Sequence, residues 1–149
     1  MTNTPVIASS KRSIPPASFL GAKPTGRVPL VLIIIGSVAL CASSSIHFYL
    51  WSIAYRNVDT IGPLFLFQGS VAAALAVLDM AVRRVGLLLF SALFMASTIG
   101  GFILATTVGL FGFALHEITA WAVWSVVAEA IGAAVLSAAV GISWRGQRA

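Results

Sequence analysis

Charge is what this chain has least of: 9% of its residues are charged and only 4 are acidic, against 59% that are hydrophobic. With a mean hydropathy of +1.01 it has too little polar surface for an ordinary soluble domain, and it calls for a bilayer. There is a single cysteine, Cys41, which excludes an intramolecular disulfide, a cysteine metal cluster and dithiol exchange. It is expected to pack as a small buried hydrophobe. No glycine-rich phosphate loop follows a strand, no Gly-x-Ser-x-Gly turn occurs, and no two carboxylates stand at catalytic spacing, so the chain is not expected to be an enzyme. Metal ligands are equally sparse. Asp59 and Glu117 have no partner at i,i+3 or i,i+4, and the histidines, His47 and His116, form no haem-binding motif. His116 is expected at the membrane interface, and neither a metal nor a cofactor is expected. The net charge of +5 does not imply nucleic acid, because the basic residues sit at the ends of apolar runs and form no stripe with interleaved aromatics.

What the chain does have is apolar runs separated by short polar breaks. Residues 1–27 form a basic tail rich in Ser, Thr and Pro, with Lys11, Arg12, Lys23 and Arg27 and no apolar period, and they are expected to be disordered. The run Val28 to Leu40, followed by Ala42-Ser43-Ser44, has the look of a secretory signal, but apolar character resumes at Ile46 and cleavage is not expected. The spacing predicts an all-α integral membrane protein. Four transmembrane helices at about 28–53, 64–82, 85–115 and 119–142 would make two helical hairpins within a bundle over 28–144, with a tail at 145–149. Phe48, Tyr49, Trp51 and Tyr55 form an aromatic belt at the end of the first helix, and Trp121 and Trp124 anchor the start of the fourth. Gly62-Pro63 opens the second helix. The third, about 46 Å long if helical throughout, exceeds a ~30 Å hydrocarbon core, and Gly100-Gly101 is the expected place for a bend. The N-tail, the turn after the second helix and the C-tail together hold 8 of the 9 Lys and Arg residues, which predicts cytoplasmic termini.

The functional clue is Glu129, inside the apolar stretch Ala122 to Gly141. Steps of four place Ser125, Glu129, Ala133, Ser137 and Gly141 on one small, polar face. An acid near the bilayer midplane costs at least ~3 kcal/mol when charged, so Glu129 is expected to be held neutral unless a cation pairs with it. Gln68 and His47, with nearby Ser and Thr residues, are the expected partners, His47 lying about a turn nearer the outer surface. Together Glu129, His47 and Gln68 form a candidate proton or cation site. A second small face, Ser97, Gly101, Ala105 and Gly109, is expected to pack against the fourth helix or a second copy of the chain. Asp79 is expected to pair with Arg83, four residues on, at the interface.

The stretch His47-Phe48-Tyr49-Leu50-Trp51, then Tyr55-Arg56, then Thr60-Ile61-Gly62-Pro63-Leu64-Phe65-Leu66 resembles small uncharacterised four-helix membrane proteins of actinobacteria. That resemblance implies a bacterial plasma membrane and carries no activity. The layout is also similar to small multidrug transporters, which place their essential membrane acid in the first helix, where this chain has none. Two functions are therefore expected. One is a non-catalytic accessory or scaffold subunit that packs against other membrane proteins, or itself, through the third and fourth helices. The alternative is a small homo-oligomeric proton-coupled transporter using Glu129.

Overall fold

The computed structural model describes residues 16–115 and 117–148. They form a short helix α1 (Pro16–Leu20) and four long ones: α2 (Arg27–Leu50), α3 (Ile61–Val82), α4 (Val85–Thr107) and α5 (Ala120–Gly146). All four long helices have the length and apolar composition to cross a bilayer, which marks a membrane protein. α2 is prolonged by a π-helical turn, Trp51–Tyr55, in which the Arg56 N–H reaches back five residues to the Trp51 carbonyl at 2.9 Å. Pro63 falls in the first turn of α3, where its missing N–H costs nothing. The Thr119 hydroxyl caps α5, accepting from the Ala122 N–H at 3.3 Å.

α2 is the central element. It buries two faces, with α3 on one side and α5 on the other, and α4 leans on α5. Close approach is set by glycines. A Cβ on Gly36 of α2 would lie 2.5 Å from Leu136 Cδ2, and one on Gly132 of α5 would collide with Met95 of α4 and crowd Ala39 of α2. Around these contacts Ile33, Leu40, Leu88, Met95 and Leu136 are fully buried. Outward, Val31, Val38, Phe67, Val77, Phe90, Leu93 and Ile131 present the continuous apolar surface that lipid requires. By contrast α3 and α4, joined by only Arg83 and Arg84, scarcely touch.

The bundle has two distinguishable ends. At one, here the loop end, Tyr49 meets Trp121 with ring centroids 4.9 Å apart. At the other, the tail end, α1 is strapped across the bundle: Phe19 is buried edge-on against Trp144 at 4.4 Å, and the Val85 N–H donates to the Ala22 carbonyl at 3.0 Å.

Four expectations need correction. The third helix stops at Thr107, not Leu115, because Thr106 and Thr107 turn their hydroxyls back onto the Phe102 and Ile103 carbonyls and Gly109 follows with φ +85°. It is helical straight through Gly100-Gly101. The later part of the basic tail is structured as α1, since Phe19 finds an aromatic partner; residues 1–15 lie outside the described residues. Cys41 is exposed on α2, beside the shallow cleft it shares with Ala76 and Met80 of α3, because both buried faces of α2 point elsewhere.

Replacing Gly36 by Val should force α2 and α5 apart and lower unfolding free energy in mild detergent by about 1–3 kcal/mol, the cost of overpacking a tight contact. An unchanged unfolding transition would show that this approach is not the tight one.

Candidate functional site

The buried stripe of α5 runs Ser125, Glu129, Gly132, Leu136, Ala139, Ser143, alternating steps of four and three. That spacing keeps a straight face turned to a neighbour, whereas repeated steps of four drift around a helix of 3.6 residues per turn. Ser125 and Glu129 are therefore on the packed face and Ala133 is half-buried beside it, while Ser137 and Gly141 have rotated out to the exposed surface. Glu129 is the tenth of the 27 residues of α5, so it lies toward the loop end, not at the middle of its helix.

Glu129 is only 2% exposed, and three donors from three helices converge on one of its oxygens. Ser43 of α2 donates to Oε1 at 3.0 Å, Ser125 of α5 at 3.1 Å, and Gln68 Nε2 of α3 at 3.4 Å. His47 of α2 stands level with the acid, its Nε2 3.9 Å from the same oxygen. This corrects the expectation that His47 lies a turn nearer the surface. Its tautomer follows from its other nitrogen: Nδ1 contacts the Ser43 carbonyl at 2.8 Å, and a carbonyl only accepts, so Nδ1 carries the proton. In neutral His47 the Nε2 lone pair then faces Glu129. Chemically this is a carboxyl whose Oε1 is saturated with donors and whose neighbour is a proton acceptor, an arrangement able to take up and release a proton.

The site opens into a cavity of about 300 Å³ toward the loop end, at the lower limit of small-molecule sites. It exists because α3 and α4 do not close on one another. Phe65 and Gln68 of α3 face Phe94, Thr98 and Phe102 of α4 across it, with Glu129, Ser125 and His47 at its base. Aromatic contacts shape the walls: Tyr55, brought round by the π-helical turn, stacks on Phe65 at 4.5 Å and meets Phe113 edge-on at 5.8 Å. Phe113 belongs to a tight hairpin turn in which Leu110 and Phe113 exchange both backbone hydrogen bonds, at 2.7 and 2.9 Å. Its central residues, Phe111 and Gly112, have φ of +51° and +79°, a turn normally made with Asn or Gly at the first position. The strained Phe111 borders the cavity.

The other expected residues are placed as follows. Ser97, Gly101 and Ala105 border the cavity, together with Ala122, Ser125 and Val126 of α5, and Gly101 has open space where a side chain would be. The packed face of α4 lies nearer the tail end, at Leu88, Ser91, Ala92 and Met95. Gly109 is past the end of α4, in the turn. Asp79 makes no ion pair with Arg83. It is completely buried on the inward face of α3 with Ala72 and Ala76, while Arg83 adopts a left-handed conformation and its Nε donates to the Met80 carbonyl at 2.9 Å. Among the described residues the sole ion-pair contact is His47 with Glu129, and no cluster of three metal-ligating side chains occurs. His116 lies outside the described residues. Sequence reasoning did not single out Ser43, Thr98 or Gly132. The signal for Ser43 was its place one turn before His47 on the same face.

No protein-family model, no curated protein and no solved structure matches this chain.

Removing the acceptor should matter more than removing the acid. Glu129→Ala leaves Ser43, Ser125 and Gln68 without their shared partner and should cost about 1–3 kcal/mol of stability, whereas Glu129→Gln keeps a carbonyl oxygen in place and should cost less. Equal losses in thermal unfolding would show that the donors are satisfied elsewhere.

Proposed function

We propose that this protein is a small proton-coupled carrier of the plasma membrane, with its tail end cytoplasmic. Its cavity takes a small amphipathic cation from the bilayer, and Glu129 binds that cation and a proton alternately. The observation that carries this reading is the position of Glu129: a buried acid, held by donors on one oxygen, at the base of an apolar cavity walled by two helices that barely meet. Among the described residues no Lys or Arg borders the cavity, so its field favours a positive or neutral guest over an anion. The cytoplasmic placement of the tail end is supported by the 8 of 9 basic side chains in that end's segments. Nothing in this reading requires bond chemistry, and the protein is taken as non-enzymatic.

In proteoliposomes, uptake of a fluorescent quaternary aromatic cation should follow an imposed pH gradient and fall at least tenfold in Glu129→Gln, while the variant elutes as the same species in detergent. Uptake by the Gln variant equal to wild type would overturn the carrier reading.

A second reading, as an accessory subunit assembling with another membrane protein or with its own copies, is favoured by the open space beside Gly100 and Gly141, small residues that admit close helix approach. Under it, Gly141→Leu should abolish a cross-linked partner or dimer in cells. Absence of any cross-linked species with the wild type would remove this reading.

A further inference from the structure

The bundle contains a second buried acid that the cavity does not reach. Asp79 is 0% exposed, one turn from the tail end of α3. The Ser91 hydroxyl of α4 faces its carboxyl, yet neither that hydroxyl nor either carboxyl oxygen closes a hydrogen bond. The α2 hydroxyl at this level, Ser37, which borders the same cleft as Ala76 and Met80, is likewise unpartnered and buried. Among the described residues no cation compensates Asp79, since Arg83 is turned onto the Met80 carbonyl and Arg84 is exposed. Other buried hydroxyls on the long helices, such as Ser44 and Ser143, do find carbonyls. Among the described residues, a buried carboxyl whose one polar neighbour is a loosely placed hydroxyl, with the unpartnered Ser37 hydroxyl beside the same cleft, is costly and calls for a role beyond packing.

α4 connects this level to the cavity. Ser91 faces Asp79 and Thr98 faces Glu129, and the two are seven residues apart on one face, about 10 Å at 1.5 Å per residue. Between them on the same face is Met95, fully buried, its methyl group occupying the space left by the missing side chain of Gly132. Leu40 of α2 and Leu136 of α5 complete an apolar layer there, both 0% exposed. Methionine is flexible and unbranched, and the glycine it fills is a space it can vacate.

We propose that Asp79 is the tail-end proton station of the carrier and that Met95 is the movable apolar barrier between it and Glu129. The inference rests on the carrier reading for its purpose. The Asp79 carboxylate takes a proton from hydronium at the tail end, leaving water, and becomes a neutral acid. When Met95 withdraws, a water chain passes that proton to the Glu129 carboxylate, which becomes neutral as Asp79 returns to its anion.

The test needs no transported substrate, so its failure is separable from failure of the carrier reading. Liposomes loaded with a pH-sensitive dye and bearing the wild-type protein should hold an imposed pH gradient. Met95→Ala should dissipate it at least tenfold faster, and so should Met95→Gln, which keeps the side-chain length and guards against a collapsed Ala variant. Adding Asp79→Asn, or Glu129→Gln, to either Met95 variant should return the leak to the wild-type rate. Tight vesicles with both Met95 variants, or a leak that persists in the Asp79→Asn double variant, would overturn the proposal and leave Asp79 as a packed polar group.

Discussion

The structure depends on one constraint: a carboxyl group placed inside an apolar bundle must be given partners by the helices around it. Ser43, Gln68 and Ser125 supply them, and in doing so they tie α2, α3 and α5 to one oxygen atom. A polar group buried without partners costs far more than a paired one contributes, so the convergence is better understood as avoidance of a penalty than as a source of stability. It nevertheless fixes register. A slip of α5 by one residue would carry Glu129 away from Ser43 and turn Gly132 away from Met95.

Much of the architecture was legible because bilayer crossing imposes a coarse rule, about 20 apolar residues between polar breaks, and four segments meet it. Finer features were not legible where the rule applied was too simple. Steps of four describe neighbours on one helix, but a face that follows a partner over several turns alternates three and four, so Gly132 and Leu136 took the places expected of Ala133 and Ser137. Asp79 looked paired because Arg83 stands four residues on, yet that spacing holds only while the chain stays helical, and Arg83 has already left the helix. Glu129, His47 and Gln68 could be singled out individually as polar groups in apolar runs. What drew them together at one oxygen was the packing of α2 against both neighbours, which no local pattern in α2 declares.

The two halves of the bundle differ for an identifiable reason. Toward the tail end, Gly36 and Gly132 let backbones approach and leave no room for a guest. Toward the loop end α3 and α4 carry Phe65 and Phe102, whose rings line the gap between the helices without closing it. Bulk at one end and glycine at the other thus turn a closed bundle into a half-open one, with Glu129 at the boundary.

That boundary position is what the proposed carrier function draws on. An acid needed only to join helices would be best placed deep in the closed half, where its partners are shielded and its neutral form is never challenged. Glu129 instead borders an apolar cavity together with two of its donors, Gln68 and Ser125, so whatever enters the cavity meets this polar cluster directly. A cation arriving there replaces the proton as the neutralising charge, and the neutral state that the bilayer demands is kept throughout the exchange. Exchange without net charge inside hydrocarbon is the condition a proton-coupled carrier has to meet, and under the function proposed above it would rest on where the glycines and the aromatic rings lie along α2 to α5.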